Sequence, residues 1–251
     1  MTRLIVATWF VVALPVCAQN AIEDLVAASR ILADQGVLDA FGHVSMRHPS
    51  NANRYLLSRN LAPALVTAED IMEYDLDSNP LNAGGRASFL ERYIHGAIYK
   101  ARPDVKAVVH SHSPAVIPFG ITKVPMQPTF HMAAFLVAGV PVFDTRGAGG
   151  PATMLVGNNA LAKALADTLA DKPVALMRGH GNVVVGPSVP LAVYRAIYTE
   201  VNARLQTIAL GLGGPVTYLS KEEGESMESA IQQQVRRPWE LWKQKAMSGI
   251  K

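Results

Sequence analysis

The chain has 251 residues, of which 49% are hydrophobic and 17% charged, with a formal net charge of +3 and one cysteine. That supplies enough apolar material for a sizeable core in one α/β domain. No cluster of Lys and Arg provides the concentrated positive charge that nucleic-acid binding needs.

The N-terminus reads as an export leader. Arg3 precedes the apolar run Leu4–Leu14, which is shorter than the ~20 residues of a spanning helix. The small residues of Val16-Cys17-Ala18 predict cleavage after Ala18, giving an exported, periplasmic mature chain from residue 19 that is not embedded in a membrane. Leu14-Pro15-Val16-Cys17 also reads as a lipoprotein signal, against which Pro15 and Val16 argue. Cleavage after Ala18 removes Cys17, so a metal site in the mature chain must be built from His and carboxylate.

Apolar spacing predicts a helix over 21–35, stopped by Gly36. Strand-like pieces follow at 42–47, 54–58 and 71–76, with a turn at Asp75–Pro80. Ser88 is an expected cap for a helix running to Lys100, ended by Pro103. A strand over 105–110, an irregular stretch over 121–132 and a short strand over 140–143 come next. A helix over 158–170, strands at 174–177 and 182–185, and a long helix over 191–210 complete the pattern. From about 217 a charged tail is expected, with one helical turn at Pro238–Trp242. With no internal repeat and no long linker, the mature chain reads as a single domain.

The chemistry concentrates in three places. His110 and His112 stand i, i+2 at a strand end, so both side chains leave the same face. His180 sits in Arg178-Gly179-His180-Gly181, between two apolar strands. Glu91 lies four residues before His95 on a helix. Three imidazoles and a carboxylate make a candidate catalytic metal site with room for a substrate oxygen. No glycine-rich phosphate loop of the common spacings is present.

Gly42-His43-Val44-Ser45, Glu91 with His95, Arg102-Pro103-Asp104-Val105 leading into His110-Ser111-His112, and Arg178-Gly179-His180-Gly181 resemble, in order and spacing, the class II aldolase/adducin domain family over about residues 22–210. The resemblance implies a three-layer α/β/α fold around a mainly antiparallel sheet, in homotetramers with active sites at subunit interfaces. It implies one divalent ion per subunit, zinc or manganese, on His110, His112 and His180, with Glu91 as a further ligand or as acid and base. His95 is read as a structural hydrogen-bonding histidine.

Departures from the sugar-phosphate aldolases in the family narrow the substrate. Arg59-Asn60 replaces their phosphate-binding Ser-Gly, and Phe89-Leu90 replaces a Ser-Ser pair before the acid. Phe and Leu side chains donate no hydrogen bonds to a phosphate dianion. Arg59 is then a candidate carboxylate anchor, and Phe89 a candidate wall of an apolar pocket. His43 stands where the family places an asparagine, and with Ser45 it is a candidate substrate contact. His131 falls where some aldolases place a tyrosine acid, and is a candidate proton donor. The expected function is a metal-dependent carbon–carbon lyase that decarboxylates a small hydroxyaromatic carboxylate. The alternatives are an aldolase for a small hydroxy-keto acid or sugar-derived substrate, and a non-catalytic adducin-like module.

Overall fold

A computed structural model describes residues 16–248. The leader expected over residues 1–18 therefore lies outside the described residues, except for its last three positions. Among the described residues seven strands form one sheet in the order β3-β2-β1-β4-β7-β6-β5. They are β1 His43–Arg47, β2 Arg54–Ser58, β3 Ile71–Asp75, β4 Ala107–Ser111, β5 Val142–Phe143, β6 Val174–Met177 and β7 Gly181–Gly186. Every neighbouring pair is antiparallel except β5 with β6. The sheet is thus mainly antiparallel, as the resemblance implies.

Helices cover both faces, because each central strand is apolar on both sides. On one face, α1 (Val16–Asp34) and α5 (Val189–Gly211) bury Leu25, Ile31, Val193 and Ala196 against Val44, Val109 and Val184. On the other, α2 (Tyr93–Ala101) and α4 (Asn159–Leu169) bury Ile94, Ile98, Leu161 and Leu165 against Val108, Val183 and Val185. A short α3 (Ile117–Ile121) packs at the β6 edge.

Two local expectations are corrected. Ser88 does not cap a helix. Its hydroxyl accepts a hydrogen bond from Tyr74, and the chain enters α2 through a 3-10 turn, Leu90–Arg92, kinked at Glu91. The expected tail is two helices, α6 (Lys221–Gln234) and α7 (Arg236–Ser248). Ser220 and Glu223 form a reciprocal cap at the start of α6. Ile231 and Trp239 are buried in the α1/α5 core, and Lys243 pairs with Glu23 and Asp24 on α1. No described helix is long and apolar enough to cross a membrane.

Two glycines let backbones meet at the ends of the strands that carry the histidines. A Cβ on Gly181 would lie 1.9 Å from the Ser111 carbonyl oxygen, and one on Gly42, at φ +82°, would lie 2.9 Å from that of His110. Around Gly181 every near obstacle is backbone, whereas a Cβ on Gly42 would meet the Leu38 side chain at 2.5 Å before that carbonyl. Gly181→Ala is expected to cost about 3 kcal/mol or more, measured by urea unfolding. Gly36→Ala, at φ +68° with nothing within 4 Å, should cost only about 1 kcal/mol.

Candidate metal centre

Alternation along β4 places Val108 and His110 on the α2 face, and β1 presents His43, Ser45 and Arg47 to the same side. The β1–β4 register sets His43 opposite His110, and the β4–β7 register sets Ser111 opposite Asn182. The turn between β6 and β7, with Gly179 at φ +64°, returns His180 toward the end of β4. The kink at Glu91 brings its carboxylate in from above.

The four residues converge: one ligand atom from each of Glu91, His110, His112 and His180 lies within 4.8 Å of the others. His112 and His180 approach Nε2 to Nε2 at 3.0 Å, and Glu91 Oε2 lies 3.4 Å from Nε2 of both His110 and His180. Backbone carbonyls orient two of the rings. His110 Nδ1 meets the Asn182 oxygen at 3.1 Å, and His180 Nδ1 meets the Met154 oxygen at 3.2 Å. A carbonyl only accepts, so both Nδ1 atoms carry hydrogen and both Nε2 atoms turn a lone pair inward. His110 Nε2 is sealed from solvent and has no hydrogen-bond partner.

The inward lone pairs of His110 and His180 both face the Glu91 carboxylate, and they repel it unless a cation sits among them. The donor set, imidazoles with one carboxylate and no thiolate, suits a divalent ion of the zinc or manganese type. The residues present therefore fit the metal that the resemblance implies. Glu91 Oε1 accepts the Val156 N–H at 2.8 Å, which leaves Oε2 facing the cluster.

Electrostatics agree. Burial alone would raise the Glu91 pKa, but His110 and His180 hold it far below the usual carboxylate range. Burial, reinforced by His110 and His180, brings His112 down to about 4. Burial would lower His180, but Glu91 and the Met154 carbonyl together push it up. Burial also lowers His43, with His95 and His110 adding to it, and lowers His95 to about 3.

The remaining candidates lie at different distances from this centre. His43 is buried beside it, its ring 5.1 Å from that of His110 and 4.6 Å from that of Phe89. Phe89 is largely buried and belongs to the α2/α4 core, packing on His43. Ser45 is placed otherwise than a substrate contact requires: it is fully buried, and its hydroxyl bonds His95 Nδ1 at 2.6 Å and the Tyr99 hydroxyl at 2.8 Å. Arg59 pairs through Nε with Asp70 at 2.6 Å and makes no hydrogen bond to the four clustered residues. His131 is exposed and lines a separate cavity of about 250 Å³ with Met132, Tyr194, Ile231 and Arg237.

Sequence reasoning passed over Phe41 and Tyr99. Phe41 is 66% exposed, with its ring 6.3 Å from that of His112, on a turn held by its own N–H to Asp39. Tyr99 was detectable, because Glu91, His95 and Tyr99 recur at i, i+4 and i+8 on one helical stripe.

A layered α/β/α domain that converges three imidazoles and a carboxylate defines an aldolase-type metal lyase. Residues 23–207 match the model of the class II aldolase and adducin N-terminal domain. The chain belongs to that family. It is 37% identical to decarboxylase tropJ of Talaromyces stipitatus, over 92% of this chain and 96% of that one. It is 34% identical to a 3,4-dihydroxyphthalate decarboxylase of Arthrobacter keyseri, over 80% and 83%. An L-fuculose 1-phosphate aldolase from Glaciozyma antarctica shares the fold, with a TM-score of 0.75 at 24% identity, over 96% of this chain and 93% of that one. The chain is a lyase.

Two expectations follow. The purified protein should hold about one equivalent of divalent metal by elemental analysis, and His112→Ala should lose most of it. In the metal-free protein, His43, His95 and His112 are neutral when folded but take protons near pH 6.5 when unfolded. Their contribution to stability is complete above that pH and is lost as pH falls toward 4 and below. Depression of the Glu91 pKa acts in the same direction, and elevation of the His180 pKa against it. The urea midpoint should therefore drop between pH 7 and pH 4, and the drop should be smaller in His95→Gln.

Proposed function

We propose that this chain is a divalent-metal carboxy-lyase that decarboxylates a small, non-phosphorylated hydroxyaromatic carboxylate. The observation that carries the reading is the convergence of three inward-facing imidazole nitrogens with Glu91 at a partly open strand end. The metal chemistry is common to aldol cleavage and decarboxylation, and the surrounding residues favour the second. Phe89 and Leu90 stand before Glu91 where a phosphate site needs hydroxyls. Phe41 adds an exposed aromatic surface beside His112. Two relatives, at 37% and 34% identity, are named decarboxylases, one of them for a dihydroxyphthalate.

A bound divalent ion supplies a Lewis acid that stabilises the negative charge left on the substrate when carbon dioxide departs. The protein's own groups do the rest. Glu91, pinned at Oε1 by Val156, keeps Oε2 available to hold or pass the proton that replaces the carboxyl group. His43 offers its free imidazole nitrogen to a substrate oxygen. Arg59 anchors a carboxylate through its terminal nitrogens, while Asp70 holds Nε. His131 lies outside the cluster of its own subunit. We assign it as proton donor to the site of a neighbouring subunit in a homotetramer. The ion is zinc or manganese, and the leader is cleaved after Ala18 on export to the periplasm.

The test is incubation of metal-loaded protein with a panel of hydroxybenzoates, dihydroxyphthalates and hydroxy-keto acids. Release of carbon dioxide from the aromatic acids is expected, and chelation should abolish it. An aldehyde fragment from a hydroxy-keto acid, with no carbon dioxide, would establish the aldolase reading instead. Arg59→Ala should raise KM by about tenfold or more, the loss of a charged hydrogen bond, with metal content unchanged.

A further inference from the structure

Behind the metal centre lies a continuous chain of buried side chains, of which the reaction as described uses only His43. Tyr99 Oη meets Ser45 Oγ at 2.8 Å, Ser45 Oγ meets His95 Nδ1 at 2.6 Å, and His95 Nε2 meets His43 Nδ1 at 2.6 Å. All four residues are at most 5% exposed. The chain runs from the α2 side of the sheet up to His43, whose ring lies 5.1 Å from that of His110.

Accounting for hydrogens gives this chain one direction. The only side-chain partner of the Tyr99 hydroxyl among the described residues is Ser45, and the Val108 backbone N–H beside it can donate but not accept. A sealed phenol must place its proton on an acceptor, so Tyr99 donates to Ser45. Ser45 has one proton, and its other neighbour is His95 Nδ1, which therefore accepts. A neutral imidazole that accepts at Nδ1 carries its proton on Nε2, and His95 Nε2–H then donates to His43 Nδ1. His43 is left with its proton on Nε2. That atom has no partner among the described residues and, unlike His110 Nε2, is not sealed from solvent.

We propose that Tyr99, Ser45 and His95 are positioning residues that lock His43 as an Nε2–H donor facing the substrate. In the reverse direction His43 would present a lone pair, which repels a carboxylate or phenolate oxygen, and Tyr99 would keep a buried unmet proton. The locked tautomer is thus the one suited to holding an anionic oxygen beside the metal ligands. The substrate role assigned to that donor rests on the decarboxylase reading above. The tautomer itself does not.

The experiment uses zinc-loaded, full-length protein with 15N-labelled histidine. Long-range proton–nitrogen correlation reports which ring nitrogen of His43 is protonated, its signals assigned by their absence in His43→Asn. Wild type is expected to show Nε2 protonated. His95→Gln, whose amide N–H stands where the imidazole Nε2–H stood, should preserve that pattern. His95→Phe and Tyr99→Phe should mix the two tautomers, and Tyr99→Phe keeps the core volume should His95→Phe fail to fold. On the aromatic-acid substrate, kcat/KM should fall by about tenfold in His95→Phe at full metal content, and return to within about threefold of wild type in His95→Gln. A wild-type His43 protonated on Nδ1, or a His95→Phe protein with unchanged His43 signals, would overturn the proposal. So would a loss of activity that His95→Gln does not rescue although it keeps the tautomer. Failure of the substrate reading shows instead as a product panel without carbon dioxide, while the nitrogen spectrum stays as expected.

Discussion

Two backbone carbonyls govern this site. By taking the Nδ1 protons of His110 and His180, the oxygens of Asn182 and Met154 force the Nε2 lone pairs of both rings into the same small volume. Without a cation that arrangement is unfavourable, since both lone pairs face a carboxylate oxygen at 3.4 Å. The fold holds these groups together by burying them in a rigid sheet, and the repulsion between them becomes affinity for a positive ion. His110 Nε2, sealed and unbonded, is the clearest sign of that preorganisation.

The sheet makes the arrangement possible because its registers are unambiguous. β4 is central, paired on both sides, and apolar on both faces up to His110. A slip of one residue would turn His110 into the α1/α5 core and Val109 out of it. Gly42 and Gly181 remove side chains where neighbouring backbones approach the strand ends, so the three chain segments close around the histidines. Positions that look like loop punctuation are therefore part of the site's construction.

Much of this was legible in the sequence. Alternation along Val108–His112 was enough to put His110 and His112 on one face, and the apolar runs around Arg178-Gly179-His180-Gly181 placed His180 at a strand end. The antiparallel sheet came from the family resemblance rather than from periodicity. Other features had no sequence signal. Carbonyl contacts from Asn182 and Met154, and the Val156 N–H on Glu91, are made by backbone, which every residue possesses. Ser45 was a candidate substrate contact through the motif it shares with His43, but its side chain is directed beneath His95. Of the C-terminal helices only the turn at Pro238–Trp242, inside α7, was read, because few of their residues are apolar. Two buried anchors, Ile231 and Trp239, dock them, and the Ser220–Glu223 cap was the readable clue.

The segment that leads into α4 touches the centre twice, through the Met154 oxygen on His180 and the Val156 N–H on Glu91. Met154 itself adopts φ +62°, a backbone conformation uncommon outside glycine. One short stretch of main chain is thus a shared clasp for an acid and a ligand that are far apart in sequence. Displacing that stretch would loosen both together, so the acid and the ligand share one mechanical support while His110 and His112 keep theirs at the end of β4.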